Sequence, residues 1–279
     1  MGFRLGNREG RAVLVDELGD RYDLASLSRD DRLADPMAAL AALDTLRAAA
    51  EGLAEATPEG AVDGSTLGPP VPRPRQCFAV GLNYRSHAEE SGLDVPPAPL
   101  IFTKFPGCLV GPTADIELRA ATVDYEVELV VVIGPGGRDI AAEDAWDHVA
   151  GLTIGQDISD RALQFASSPP HFDLGKSRDG YGPIGPLVVS TDLVGEPADL
   201  ALSCSVNGEV RQDDRTSGLI VDVPALIEYL SGILTLLPGD LIFTGTPSGV
   251  GMADGRFLAA GDVLESTIEG LGTLRNRCV

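Results

Sequence analysis

Cysteine is scarce and scattered: Cys77, Cys108, Cys204 and Cys278 are the only four in 279 residues, and none forms a C-x-x-C pair or a Cys/His ligand spacing. Neither a zinc site nor a disulfide framework is signalled, which leaves buried free thiols as the expectation. Positive charge is also short. Lys and Arg number 21 against 42 Asp and Glu, and a formal charge of −21 repels phosphate backbones, which argues against nucleic acid as a partner. No run approaches the ~20 uninterrupted apolar residues of a membrane span. Charges at Arg4, Arg8, Glu9 and Arg11 also break any apolar stretch of signal-peptide length. A soluble, cytoplasmic protein with no membrane partner is therefore expected. Nucleotide motifs are missing as well. There is no G-x-x-x-x-G-K-[ST], and the lone G-x-G-x-x-G, Gly180 to Gly185, contains Pro183 and leads into strand-like PLVVS, so we read it as a turn.

What is present is a hydrophobic content of 44%, ordinary for a globular chain and enough for one substantial core or two modest ones. REGRAVLVDELGDRYDL predicts two short strands, and PMAALAALDTLRAAAEGLAEA a helix. Proline and glycine dominate from Thr57 to Arg75, so a small N-terminal α/β domain over 1–70 and a second domain over 71–279 are expected. Beyond Gln76 short β-branched runs prevail, among them CFAVG, YEVELVVVIG, HVAGLTIG and DLIFTG. Only SHAEES, AAEDAWDHV and VPALIEYLSGIL look helical. The expected class is α+β and β-rich, with a curled or barrel-like sheet.

In VDYEVELVVVIG the two-residue period of a strand puts Asp124, Glu126, Glu128, Val130 and Val132 on one face and Tyr125, Val127, Leu129 and Val131 on the other. Two carboxylates one pleat apart among apolar residues cost several kcal/mol unless compensated. A hard cation is one compensation. An exposed sheet edge, or pairing with arginine, is the other. Asp157, at the end of HVAGLTIGQD, supplies a third acid and favours the cation, and the absence of nearby His or Cys points to magnesium or manganese over zinc.

His87 lies in GLNYRSHAEESG, where Ser86 and Glu89 fit a capping box. Glu90, three residues on, shares a helix face with the imidazole and can prepare it as a general base; a surface ion pair is the plainer alternative. His148 and His171 are read as structural or surface groups.

Together GLNYRSHAEE, DYEVELVVVIG, GQDISDRALQ, GKSRDGYGPIGP, VNGEVRQ and YLSGILTLLPGDLIFTGTPSGVG resemble the fumarylacetoacetate hydrolase family, from about Cys77 to Asn276. The resemblance implies the family's mixed β-sheet roll over the second domain and a homodimer. It also implies a divalent cation (Mg2+ or Mn2+, with Ca2+ as a further option) on Glu126, Glu128 and Asp157, and a water-activating lid pair of His87 and Glu90. Gln164 and Lys176 are implied as polar catalytic groups, and Gly245, Thr246, Arg161 and Tyr181 as substrate contacts. Asn83 stands where some members carry an acid, so no fourth carboxylate ligand is expected. Ala162 follows Arg161 where many relatives have an acid, and Asp160 precedes it instead. The implied activity is hydrolysis of a carbon–carbon bond in an acylpyruvate or related 2,4-diketo acid, a diketo sugar acid among the options. Oxaloacetate decarboxylation and isomerisation or hydration of 2-oxo dienoic acids are the alternatives within the family. A metal-dependent 2-oxo acid binding protein without chemistry is the alternative outside it.

Overall fold

The computed structural model describes residues 2–92 and 94–279. Its largest sheet runs in the order Arg21–Asp23, Arg11–Val15, Arg4–Arg8, Gly182–Val189, Val149–Gln156, Val127–Ile133, Leu241–Phe243, Cys77–Gly81 and Leu100–Thr103. Most pairings are antiparallel, but Leu241–Phe243 lies parallel to Cys77–Gly81, so the sheet is mixed. A four-stranded sheet, Glu209–Arg215, Ala201–Val206, Val263–Ile268 and Gly272–Arg277, packs beside it. The fold is the expected strand-rich α+β arrangement. The N-terminal hairpin continues the large sheet, since Leu5 pairs with Val188, and strand pairing therefore runs across the expected boundary at residues 70–71.

Val127–Ile133 is buried at every residue and sits mid-sheet between Val149–Gln156 and Leu241–Phe243. Its alternation is as the period of two predicts. Tyr125, Val127, Leu129, Val131 and Ile133 enter a core shared with the four-stranded sheet and the helix Val223–Ile233. Val130 and Val132 enter a second core built with N-terminal residues such as Leu5, Leu40 and Leu46. The exposed-edge reading of Glu126 and Glu128 fails here, because both are buried, Glu128 within this strand and Glu126 just before it.

Three local expectations need correction. The long N-terminal helix is two helices, Pro36–Ala41 and Leu43–Glu51, with Ala42 outside helical geometry at φ −114 and ψ 50. An alanine-rich run has helix propensity but no large side chains to oppose a break that seats both Leu40 and Leu46 in the core. AAEDAWDHV forms a 3-10 helix, Ala142–His148. Ser86 lies inside the helix Arg85–Ser91, whose N-cap is Tyr84. Its hydroxyl donates to Asp214 at 3.0 Å rather than capping, so the capping-box reading with Glu89 is wrong. All four cysteines are buried and free, as expected.

Candidate metal centre and active site

The site follows from strand register. Glu128 lies opposite Gly155 and Val127 opposite Gln156, and the Asp157 N–H continues the ladder to the Glu126 carbonyl at 2.9 Å. Residues that face each other across antiparallel strands share a side of the sheet, so Asp157 joins Glu126 and Glu128. Their carboxylate oxygens lie within 4.8 Å of one another, and all three residues are buried. Gly155, opposite Glu128, has no room for a side chain: a Cβ there would come within 2.5 Å of Phe243 and of Val130.

Cations surround two of the three acids. Lys176 Nζ bridges Glu126 Oε2 at 2.6 Å and Asp157 Oδ2 at 2.7 Å. Arg161 Nη2 reaches Glu126 Oε1 at 2.6 Å and Asp124 Oδ2 at 2.7 Å, and its Nη1 donates to Gln164 Oε1 at 2.9 Å. Lys104, fully buried, donates to Asp157 Oδ1 at 2.7 Å, to the Tyr181 carbonyl at 3.0 Å and to the Lys176 carbonyl. Among the described residues Glu128 has no cation within hydrogen-bond reach; it accepts the Gly245 N–H at 2.8 Å.

The titration of the acids follows this asymmetry. Burial pushes Glu126 up, but Lys176 and Arg161 outweigh it and hold the carboxyl at about 2. Burial, with Asp157 and Glu126 close by, pushes Glu128 well above the usual carboxylate range. Burial works against charge on Lys104 too, yet Asp157 reverses it and the ammonium is held above its ordinary value. The donor set fits a hard divalent cation, being three clustered carboxylates without sulfur or imidazole. Glu128 is the buried acid still short of positive charge.

Across from the triad stands the helix Arg85–Ser91. His87 Nδ1 lies 3.5 Å from Glu90 Oε2, and both Glu90 oxygens accept the Gly249 N–H, at 2.9 and 3.1 Å. Burial raises Glu90, but His87 and the Gly249 N–H lower it below an ordinary glutamate. His87, Glu126, Glu128, Arg161, Gln164, Lys176 and Thr246 line one cavity of about 90 Å³. Phe102, Phe165, Phe172 and Met252 form its apolar side.

The other anticipated residues have different surroundings. Gly245 stands behind Glu128, and the Thr246 hydroxyl is satisfied within the protein, donating to the Val127 carbonyl and accepting from Gln212, both at 2.8 Å. Arg161 is committed to Asp124, Glu126 and Gln164, which makes it a holder of the acids. Tyr181 is fully buried in the core, where its carbonyl accepts from Lys104 and its hydroxyl accepts from the Arg119 N–H at 3.3 Å. Asn83 ties the Val221 and Thr244 carbonyls together, at 3.0 and 2.8 Å, away from the triad's carboxylates. Asp160 pairs with Arg178 at 2.8 Å. His148 faces the Gly136 carbonyl at 2.7 Å, and His171 is exposed.

Two groups escaped sequence reasoning. Asp124 shares the period-two face with Glu126 and Glu128, and that spacing was the signal for its role in holding Arg161. Lys104, alone in IFTKFPG, carries no pattern that could have marked it.

Comparison with known proteins agrees with this geometry. Residues 76–279 match the family model described as fumarylacetoacetate (FAA) hydrolase, C-terminal. A bovine (Bos taurus) protein named oxaloacetate tautomerase FAHD2A, mitochondrial, is 43% identical over 214 residues, 75% of this chain and 68% of its own. The crystal structure of a Mycobacterium smegmatis protein provisionally assigned as HpcE superposes with TM-score 0.92 at 47% identity, covering 99% of both chains. Maleylpyruvate hydrolase from Sphingobium sp. SYK-6, solved with manganese and pyruvate, has TM-score 0.82 at 28% identity, covering 99% of this chain and 98% of its own. With three clustered carboxylates, Glu126, Glu128 and Asp157, fit for a divalent cation and set in this sheet, the chain belongs to the fumarylacetoacetate hydrolase family.

Proposed function

We propose that the protein hydrolyses a carbon–carbon bond in a short acylpyruvate or related 2,4-diketo acid, with Mg2+ or Mn2+ held by Glu126, Glu128 and Asp157. The observation that carries this reading is that His87, 3.5 Å from Glu90, lines the same cavity as Glu126 and Glu128 of the triad. When bound, the cation supplies Lewis-acid polarisation of the 2-oxo acid. Charge supports an anionic substrate: Asp124, Glu126, Glu128 and Asp157 face Lys104, Arg161 and Lys176, one charge short of balance, so a divalent ion leaves the site positive.

The chain's own residues then divide the work. Glu90, fixed by the Gly249 N–H, sits on the Nδ1 side of His87 and leaves the other ring nitrogen to take a proton from water. The water oxygen adds to the distal carbonyl carbon. Gln164 lines the cavity with its oxygen engaged by Arg161, which leaves its NH2 group free to stabilise the oxyanion together with Lys176. The carbon–carbon bond breaks with its electron pair on the 2-oxo acid fragment, which recovers the proton from His87. The products are a carboxylic acid and a 2-oxo acid such as pyruvate.

A second reading is favoured by the names of the relatives at 41–43% identity, oxaloacetate tautomerases among them. Here the same His87 moves a proton between carbon and enol oxygen, and no water adds. The deciding experiment gives the Mn2+-loaded protein acetylpyruvate and, separately, enol oxaloacetate, with products identified by NMR. Loss of acetylpyruvate absorbance with stoichiometric acetate and pyruvate is expected. Faster ketonisation of oxaloacetate without any cleavage would replace hydrolysis by tautomerisation. Binding of 2-oxo acids with no turnover of either would leave a binding protein. Full activity in Glu126→Ala without added metal would remove the metal site from the mechanism.

A further inference from the structure

The cavity is closed on its apolar side by rings. Phe172 packs edge-on against Phe102, centroids 5.5 Å apart with planes at 75°, and against Phe165 at 6.2 Å and 65°. Behind the rings lies a groove of about 680 Å³, along the outermost strand of the large sheet, with Phe78, Leu100, Ile101 and Phe105 in its lining. Among the described residues, cavity and groove have two lining residues in common, Phe102 and Phe172. Phe102 also lies under Lys176 Nζ at 5.3 Å, which ties it to the catalytic cation. Phe172 has no such duty. Its ring leans over Gly81, where a Cβ would come 3.1 Å from Leu100 and 3.6 Å from Phe172. The backbone beneath it is pinned: its carbonyl accepts the Lys176 N–H at 3.2 Å, and the Asp173 carboxylate accepts the Thr103 N–H at 2.9 Å.

We propose that the Phe172 ring is the length gate of the substrate pocket, confining the enzyme to 2-oxo acids with a small distal group and sealing off an apolar groove that would otherwise hold a longer chain. This rests on the 2-oxo acid reading of the site but not on whether the bond is hydrolysed. A pocket wall discriminates by fit, and a methylene that does not fit costs about 10-fold or more. Phe78, Leu100, Ile101 and Phe105 give the groove an aliphatic and aromatic stretch that suits an alkyl or aryl tail, with Arg75, His171 and Asp173 also in its lining.

The test is calorimetric binding of pyruvate, 2-oxobutyrate, 2-oxohexanoate and phenylpyruvate to the Mn2+-loaded protein, in the original chain and in Phe172→Ala. The original chain is expected to lose about 10-fold or more in affinity between 2-oxobutyrate and 2-oxohexanoate. In Phe172→Ala that loss is expected to vanish or invert, with pyruvate affinity changed less than about threefold. Phe172→Leu, milder for folding, should fall between them. Phe105→Ala lines the groove alone, so by itself it should move nothing, and in the Phe172→Ala background it should weaken binding of the longer acids. An unchanged length profile in both Phe172 variants would overturn the gate. If acylpyruvates are bound but not cleaved, the hydrolase reading fails while the binding profile still decides the gate.

Discussion

Burial, with Asp157 and Glu126 close by, pushes the Glu128 carboxyl upward, and this fixes how the site responds to pH. A group whose folded pKa is raised binds its proton more tightly in the folded than in the unfolded chain. The stabilisation it gives the metal-free protein is therefore present below the ordinary glutamate value and lost as pH rises through the folded value. A cation must displace that proton. Metal binding is thus expected to release close to one proton at pH values below the raised one, and Mn2+ affinity to increase with pH until the release disappears. Calorimetry in two buffers of different ionisation enthalpy measures both, and a pH-independent affinity would contradict the assignment. Lys104 gives a second prediction. Removing one partner of a buried ion pair typically costs about 3–5 kcal/mol, so Lys104→Met is expected to lower the metal-free melting temperature markedly, with Mn2+ restoring much of the loss by neutralising Asp157. Thermal denaturation with and without Mn2+ checks this. The contrast between the two residues marks what could be read from the chain. Glu126 and Glu128 announce themselves by sharing a strand face, whereas Lys104 reaches Asp157 across 53 positions of sequence, a contact that only the folded sheet creates.

At the level of elements, the turn around Gly249 connects the helix Arg85–Ser91 to the sheet's core. Its N–H binds Glu90 and its carbonyl accepts the Tyr125 hydroxyl at 3.0 Å. Its φ of +101 disfavours any side chain, and a Cβ would come 1.9 Å from the Arg211 carbonyl. Gly249→Ala is expected to destabilise the protein by about 2 kcal/mol or more and to reduce kcat while Mn2+ affinity stays within about threefold. Gly255→Ala, at φ +76 with open space around it, should cost about 1 kcal/mol and leave kcat intact. Denaturant melts and a Mn2+ titration of each variant separate the two cases. Strand elements were legible where β-branched runs ended in glycine or proline. The N-terminal helix was not, because helix propensity cannot report a break at Ala42 imposed by two leucines packing into one core.

Over the whole molecule, a formal charge of −21 surrounds a site that becomes locally positive when loaded. The global charge acts on an approaching ion within about a Debye length of the surface, ~30 Å at 0.01 M salt and ~10 Å at 0.1 M, and is screened beyond it. A dianionic 2-oxo acid is therefore repelled at low salt. Its kcat/KM is expected to rise about two- to fivefold between these concentrations, with a monoanion rising less, and steady-state kinetics at constant free Mn2+ reads the difference. A fall with salt would mean that the local field of the site outweighs the rest of the molecule.

The strand register carries one more consequence. Glu126 meets Asp157 only because Glu128 faces Gly155, and a slip of one residue would exchange the faces, sending Val127 and Leu129 to where the acids converge. The ion therefore proofreads strand pairing. Chains zipped out of frame have no place for it, and metal present during refolding draws the population toward the one alignment that can bind it.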